Sequence, residues 1–305
     1  MTRYRQRGRG MRIIALAAGL ITTGTAYAAT TPAAQDKTDT GVTISADKAK
    51  VRYGQSLPVS GRAVGRSVKL EYAPAGQDWR PVAQSATGPQ GSYRFTVRPR
   101  RSGAYRAVGE SGGASAPKRV TVVATLVGRA THHVHRGSRV GVRGRLAPGQ
   151  SGRRVRLQLR SGRGWKTVAR PRTGAGGRFR ASWRPQKSGS YRLRVRFGGD
   201  RLNAAASRSL GRRVNVYRPS QASWYGPGLY GNALACGGRL SAAKLGVANR
   251  SLPCGTKVTL RYGHRSVTVP VIDRGPFHAS REWDLTAATK SRLGFPDTGV
   301  VWTTK

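Results

Sequence analysis

Acidic residues are scarce in this chain of 305 residues: 11 Asp and Glu stand against 56 Lys and Arg, a formal charge of +45. That leaves few carboxylates for acid–base chemistry and creates a field that draws polyanions by steering and counterion release. Cysteine is scarcer still. Only Cys236 and Cys254 occur, eighteen positions apart, with no third or fourth ligand at metal-like spacing, so a zinc site is excluded. Long apolar runs are missing after the first thirty residues, which argues against a membrane-spanning segment in a mature protein. No lipid-attachment cysteine follows the early apolar stretch, which argues against a lipid anchor.

That early stretch is itself informative. Arg3, Arg5, Arg7, Arg9 and Arg12 precede "IIALAAGLITTG", and Ala26-Tyr27-Ala28 forms an A-x-A site. Residues 1–28 therefore read as a secretory signal peptide, and a secreted, extracellular or wall-associated protein is expected. Export permits oxidation, so Cys236 and Cys254 are expected to form a disulfide. Export also removes nucleic acid as a physiological partner, leaving anionic wall polymers for the basic surface.

Residues 29–41, "ATTPAAQDKTDTG", are small and polar and read as a linker. An internal repeat follows. "VRYGQSLPVSGR" at 51–62 is echoed at 134–145 by "VHRGSRVGVRGR", an offset of 83. The segment 79–106 is echoed at 165–192 with an offset of 86, so three residues are inserted in a loop around "PGQ". Within each copy apolar residues alternate, as in Val155, Leu157, Leu159 and Phe179, Ala181, Trp183, with Gly, Pro and Ser breaks every eight to twelve residues. Period-two alternation at that spacing predicts two immunoglobulin-like β-sandwiches, over 42–124 and 125–217. Residues 125–217 carry 24 Lys and Arg and a single acid, Asp200, whereas 218–305 carry 12 basic and 4 acidic groups. The excess reads either as a polyanion-binding surface or as arginine-rich coding on solvated strand faces. His133 and His135 share a strand face, but no acidic partner follows, and no metal role is assigned to them.

From residue 218 the texture changes. "KVTLRYGHRSVTVPVIDRG" predicts a hairpin turning at "YGHR", with Pro270 marking an edge or a strand crossing. "DLTAATKSRLGF" predicts a short helix with Thr286 as N-cap and Gly294 as its stop, and "TGVVWTT" a closing strand. Residues 218–305 thus form a small β-barrel with one helix, and the chain as a whole is all-β.

Three ordered segments of this last domain, "ASWYGPGLYGNALACGG", "LGVANRSLPCGTKVTL" and "VPVIDRGPFHASREWDLTAAT", resemble the rare lipoprotein A (RlpA) family of double-psi β-barrels, itself similar to the expansin barrel. The resemblance covers roughly residues 220–304. It implies a six-stranded barrel with a polysaccharide groove, no cofactor, and action on peptidoglycan glycan strands of the lytic transglycosylase type. The "DRGP" aspartate, Asp273, and the "DLT" aspartate, Asp284, are implied beside the groove, with Trp224, Tyr225, Asn249, Arg274 and Phe277 as candidates for substrate contact. Two positions depart from the family pattern: Gly238 stands where members carry a glutamate, and Asn249 where they often carry a histidine. Both departures remove a titratable group, which favours the alternative of an expansin-like barrel that binds and loosens wall polysaccharide without cutting it.

Chemistry narrows the options independently. Glycoside hydrolysis uses two carboxyl groups, and no acid lies near Trp224 and Tyr225 in sequence. A lytic transglycosylase needs one group that protonates the leaving oxygen and then accepts a proton from the sugar's own C6 hydroxyl. Asp273, closing the apolar run "VTVPVI", suits that double role, with Asp284 orienting the sugar; in the expansin-like comparison the two exchange roles. Structural duties compete: Asp273 could accept turn amides or pair with Arg274, Asp284 could complement the helix N-terminus, and Glu282 is expected to pair with Arg281. Trp224, Tyr225, Phe277 and Trp283 could all be core, but Trp224 and Tyr225, in a "WYGPG" turn, are the better candidates for sugar stacking.

Overall fold

Alternating apolar residues bury one face of each strand in two successive sandwiches. The computed structural model describes residues 41–278 and 280–305; the expected signal peptide and all but the last residue of the expected linker lie outside them. In the first repeat a three-stranded sheet (Ser45–Ala46, Leu57–Arg62, Ser92–Val97) packs on a five-stranded one (Lys50–Arg52, Lys118–Val123, Gly103–Gly109, Ser67–Pro74, Arg80–Ala86). Leu57, Val59, Val68, Leu70 and Val122 are wholly buried between them, each contributing roughly 1.5–3 kcal/mol of apolar transfer free energy.

The second repeat has the same frame. Thr125–Ala130, Val140–Ala147 and Arg178–Trp183 form one sheet, and Gly164–Ala169, Val155–Ser161, Leu193–Phe197 and Ala206–Ser209 the other. The pairs Ser60↔Arg94 and Gly61↔Tyr93 of the first repeat recur as Arg143↔Arg180 and Gly144↔Phe179, so the sequence offsets of 83 and 86 are the structural register. Gly144 is obligatory, because a Cβ there would lie 2.3 Å from Phe179 Cζ and 2.4 Å from the Val127 carbonyl oxygen. The three inserted residues sit in the loop that follows the cis Ala147–Pro148 bond. That loop is closed by Arg153, whose guanidinium grips Asp200, the sole acid of this repeat, at 2.9 Å.

The barrel comprises β1 (Val214–Tyr225), β2 (Val247–Ala248), β3 (Lys257–Tyr262), β4 (Arg265–Asp273), β5 (Trp283–Thr286), the helix α1 (Ala287–Leu293) and β6 (Gly299–Thr303). Neighbours run β1-β5-β2-β4-β3-β6, and β6 returns to pair with β1, closing six strands. β1 and β5 are parallel, as are β2 and β4; the other contacts are antiparallel. Closure leaves Pro270 without an edge to occupy. It sits at the crossing, as the last β4 residue paired with β3 before Val271 and Asp273 pair with β2. Val247, Val258, Leu260, Val271, Trp283, Leu285 and Val301 fill the interior. The helix is capped as its sequence predicts: Thr286 accepts from the Thr289 amide, Lys290 and Arg292 fall in the last turn, and Gly294 ends it at φ +64°.

One boundary is absent as such. The expected division at 217/218 falls inside β1, whose first residues pair with Gly189–Tyr191 and His133–His135 of the second sandwich and whose later ones belong to the barrel. His133 and His135 act at this junction. His133 Nδ1 lies 2.8 Å from the Tyr217 hydroxyl, and the His135 ring stacks on Trp302 at 3.8 Å.

Candidate active site

Strand register brings distant segments into one row. Ser223 on β1 pairs with Asp284 on β5, Asp284 with Ala248 on β2, and Ala248 with Asp273 on β4. The two aspartates therefore stand two strand spacings apart, about 9–10 Å between backbones. Ser223 donates a short hydrogen bond to Asp284 Oδ1. Asp273 Oδ1 accepts the amides of Ala235 and Arg274, both at 2.9 Å.

Neither carboxylate has a cation among the described residues. Among the described residues the ion pairs are Glu71–Arg106, Asp200–Arg153, Glu282–Arg218 and Asp297–Lys290, and none reaches Asp273 or Asp284. In a chain with five basic groups for each acid, two carboxylates without a cation in one row mark a candidate site. The competing structural duties fall elsewhere. Arg274 turns away from the Asp273 carboxylate and donates to the carbonyls of Asn249 and Leu252 and to Cys254 Sγ. The helix is capped by Thr286, with no acid in its first turn. Glu282 pairs with Arg218 and Ser220 rather than Arg281, because the Glu282 amide bonds to the Gln221 carbonyl and lays the residue against β1. Burial pushes the Glu282 carboxyl up, but the hydrogen bonds and charge of Arg218, with Ser220, outweigh it and hold it below the usual range.

Tyr225, two residues beyond Ser223 and on the same strand face, packs on Leu234, Leu240 and Ile272. It is thus inside the wall of the site and not an open stacking platform. Its hydroxyl is buried and makes no hydrogen bond of good geometry among the described residues. Burial raises its pKa, and the charges of Asp273 and Asp284, with Asp273 near enough for a weak polar contact, raise it further. A phenol in that position keeps its proton at neutral pH and remains a donor there.

The remaining candidates divide. Phe277 is 88% exposed, in the loop after the cis Gly275–Pro276 bond, where Arg250 donates to the Pro276 and His278 carbonyls on either side. The core alternative for Phe277 fails; Trp283 is the core residue, fully buried. Trp224 is turned to the opposite face from Tyr225: Asp297 accepts from its Nε1, and the Lys290 ammonium sits 3.8 Å from a ring centroid, covering one face. Asn249 is buried with its polar atoms engaged, donating to the Glu282 carbonyl and accepting the Ser251 and Leu252 amides. Gly238 has φ +76°, a conformation that side chains rarely adopt. Cys236 and Cys254 are bonded, and Ala235 beside Cys236 is the residue whose amide holds Asp273. Sequence reasoning missed Ser223 and Ala235. The alternation Ser223-Trp224-Tyr225 was the signal for the first; nothing local signals a backbone donor.

Comparison with known proteins finds relatives of the barrel. The family described as "Lytic transglycolase" matches residues 220–303. A probable endolytic peptidoglycan transglycosylase RlpA from Synechocystis is 45% identical over 82 residues, 26% of this chain and 25% of that protein. The endolytic peptidoglycan transglycosylase RlpA of Neisseria meningitidis is 33% identical over 33% of this chain and 47% of its own. The chain thus spans less than half the length of these curated relatives. A solved tetra-tandem repeat from the extending region of a large adhesion protein covers 82% of this chain and 66% of its own at 14% identity, with a TM-score of 0.34, too low to bear on the fold. Residues 220–303 are an RlpA-like double-psi β-barrel domain.

Proposed function

We propose that the barrel cuts peptidoglycan glycan strands by lytic transglycosylation, at the wall and outside the cell. The observation that carries this reading is the pair of cation-free carboxylates, Asp273 and Asp284, flanking the buried Tyr225 hydroxyl in an RlpA-like barrel. Asp273 Oδ1 is taken by two amides, so Oδ2 carries the working proton. That proton goes to the glycosidic oxygen as the C1–O bond breaks. The sugar's own C6 hydroxyl then bonds to C1 and gives its proton back to Oδ2. One C–O bond is lost and one gained, no water is consumed, and Asp273 ends as it began. The Tyr225 hydroxyl, near Asp273 and without a partner among the described residues, is placed to donate to the carboxylate once its proton has left. Asp284, fixed by Ser223, faces the sugar and supports positive charge developing at C1. Phe277 offers an aromatic face for a sugar ring.

The test is digestion of purified peptidoglycan with detection of anhydro-muramoyl ends by mass spectrometry. Asp273→Asn, nearly isosteric, is expected to cut the rate by about 10²–10⁴ while folding and wall binding persist; an Asp273→Asn protein of parental activity overturns the assignment. A second reading, expansin-like loosening without cleavage, is favoured by Gly238 and the fully engaged Asn249, which leave Asp273 with no titratable helper at either position. Its signature is a parent protein that weakens wall material but releases no anhydro ends.

The sandwiches have a separate part in this proposal. With 24 basic groups and one acid that is already paired, residues 125–217 retain the protein on anionic wall polymer. Retention of this kind weakens steeply with added salt.

A further inference from the structure

The two repeats share one frame, so each is a control for the other. In the second, the outward positions of the three-stranded sheet form two cross-strand rows, Arg129–Arg143–Arg180 and Val127–Arg145–Arg178. The same rows in the first are Ser45–Ser60–Arg94 and, from the Thr43 segment, Thr43–Arg62–Ser92. Three serines of the first repeat, Ser45, Ser60 and Ser92, are thus replaced by Arg129, Arg143 and Arg178. Both repeats are rich in basic residues, 14 with four acids over 42–124 and 24 with one over 125–217. General arginine usage does not explain why five guanidinium groups gather on one small face of the second.

Physical chemistry makes this face costly. Like charges directly opposite on neighbouring strands destabilise a sheet, and here three stand abreast. All five arginines are exposed, and among the described residues none is in an ion pair. Arg145 donates Nε to the Gly176 carbonyl, and its Nη groups make no hydrogen bond among the described residues. The face also carries a depression of about 780 Å³, lined by Arg129, Arg143, Arg145 and, from the neighbouring edge strand, Arg208. The first repeat keeps a depression of about 670 Å³ at the matching place, lined by Ser60, Ser92, Arg62 and Arg94.

We propose that this hollow face of the second repeat is the docking site for a linear phosphodiester polymer. The proposal rests on the wall-retention reading and names its site and ligand class. The backbone positions that carry these arginines repeat about 4.8 Å apart across the strands and about 6.7 Å apart along them. A planar carboxylate is satisfied by a single fork, whereas the two free oxygens of a tetrahedral phosphodiester diverge and accept forks from two neighbouring strands at once. A grid of arginines without a single lysine or acid suits the second ligand. Binding also relieves the cross-strand repulsion, so the polymer stabilises the sandwich that holds it.

The test uses the full chain with synthetic poly(glycerol phosphate) and, at equal charge, a polyuronate. The variant Arg129→Ser/Arg143→Ser/Arg178→Ser restores residues that the same frame already carries in the first repeat, so it folds. Arg156→Ser/Arg160→Ser/Arg196→Ser removes the same charge from the opposite sheet. The parent is expected to prefer poly(glycerol phosphate) and to gain thermal stability with it. The first variant loses at least about tenfold in affinity, with a shallower salt dependence by about two to three in the log–log slope; the second keeps most of both. Equal losses in the two variants overturn the docking face while leaving general retention standing. A preference for polyuronate overturns the phosphodiester assignment. A parent that binds neither polymer overturns the retention reading itself.

Discussion

Replacing Asp200 by Asn tests how the only acid of the second repeat is used. Arg153 has 5% of its side chain exposed, Asp200 34%. Arg153 Nε and Nη2 reach the two Asp200 oxygens at 2.9 and 3.2 Å, Nη2 also reaches Asn203 Oδ1 at 3.0 Å, and Nη1 reaches the Pro148 carbonyl at 3.0 Å. The guanidinium lies 4.4 Å over the Phe197 ring. Asp200 in turn accepts the amides of Leu202 and Asn203, and Asn203 bonds to Arg100 of the first repeat. Removing one partner of a buried pair costs about 3–5 kcal/mol; with Asp200 a third exposed, about 2–4 kcal/mol is expected. Hydrogen exchange of the intact chain reads this as about 30- to 850-fold faster exchange of the protected amides between 148 and 204. The double variant Arg153→Met/Asp200→Leu, which leaves no orphan charge, is expected to lose less than Asp200→Asn alone. An Asp200→Asn chain within about threefold of the parent refutes the reasoning.

The same pair sets a pH dependence. Burial pushes the Asp200 carboxyl up, but hydrogen bonds from Arg153, Asn203 and Leu202, together with the Arg153 charge, outweigh it and hold it below the usual range. A depressed folded value means that the unfolded chain binds the proton first as pH falls. The contribution is therefore complete above the ordinary Asp value near 3.9 and is lost as pH drops through the folded value. Protection of this segment should fall in acid below about pH 4 in the parent, and the Asn variant should lack that step.

Two other expectations concern the barrel. Cys236→Ser/Cys254→Ser opens a loop with a separation of 18 residues, worth about 3 kcal/mol in chain entropy, and frees the segment whose Ala235 amide holds Asp273; denaturation of the barrel should shift accordingly, and a change below about 1 kcal/mol would count against it. Tyr225→Phe removes a buried hydroxyl without a well-made partner, so stability should stay within about 1 kcal/mol of the parent while kcat falls and its pH profile moves with KM little changed; a parental rate and profile would leave Tyr225 a packing residue.

Much of the architecture was legible because its causes are local. Period-two alternation marked the sandwiches, and the offsets of 83 and 86 carried over unchanged as strand register. Thr286 and Gly294 punctuated the helix through their own caps. The site was legible only in part, because it is made by pairing across the chain. Asp284 and Asp273 could be named, but the row joining them to Ser223 depends on β2, a strand of two residues that carries no periodic signal. Trp224 reads as a surface aromatic until Lys290 on α1 and Asp297 in the loop after it engage it. Arg274 reads as a partner for its neighbour Asp273, yet its guanidinium goes to two carbonyls and a sulfur on the 249–254 loop, while its amide joins that of Ala235 on Asp273 Oδ1. The continuity across 217/218 was hidden for another reason: composition changes there, whereas the backbone of β1 does not.

That continuity bears on how the proposed parts would work together. A Gly/Ser-rich tether would let a wall-bound sandwich hold the barrel only at an effective concentration set by chain length. Here β1 passes from sandwich to barrel without a linker residue, braced by the Arg136 amide on the Tyr217 carbonyl, the Asn215 amide on the His132 carbonyl and His135 on Trp302. On the proposed reading, a polymer seated on the arginine face presents the Asp273–Asp284 row to nearby glycan in one orientation instead of many. Inserting a flexible ten-residue Gly/Ser segment between Tyr217 and Arg218 separates the two effects. Affinity for poly(glycerol phosphate) should be unchanged, since no arginine is touched. Release of anhydro ends from whole walls should fall, whereas release from soluble glycan strands free of the polymer should not. Equal losses on both substrates would show that the insertion damages the barrel itself and that β1 serves its folding, not its aim.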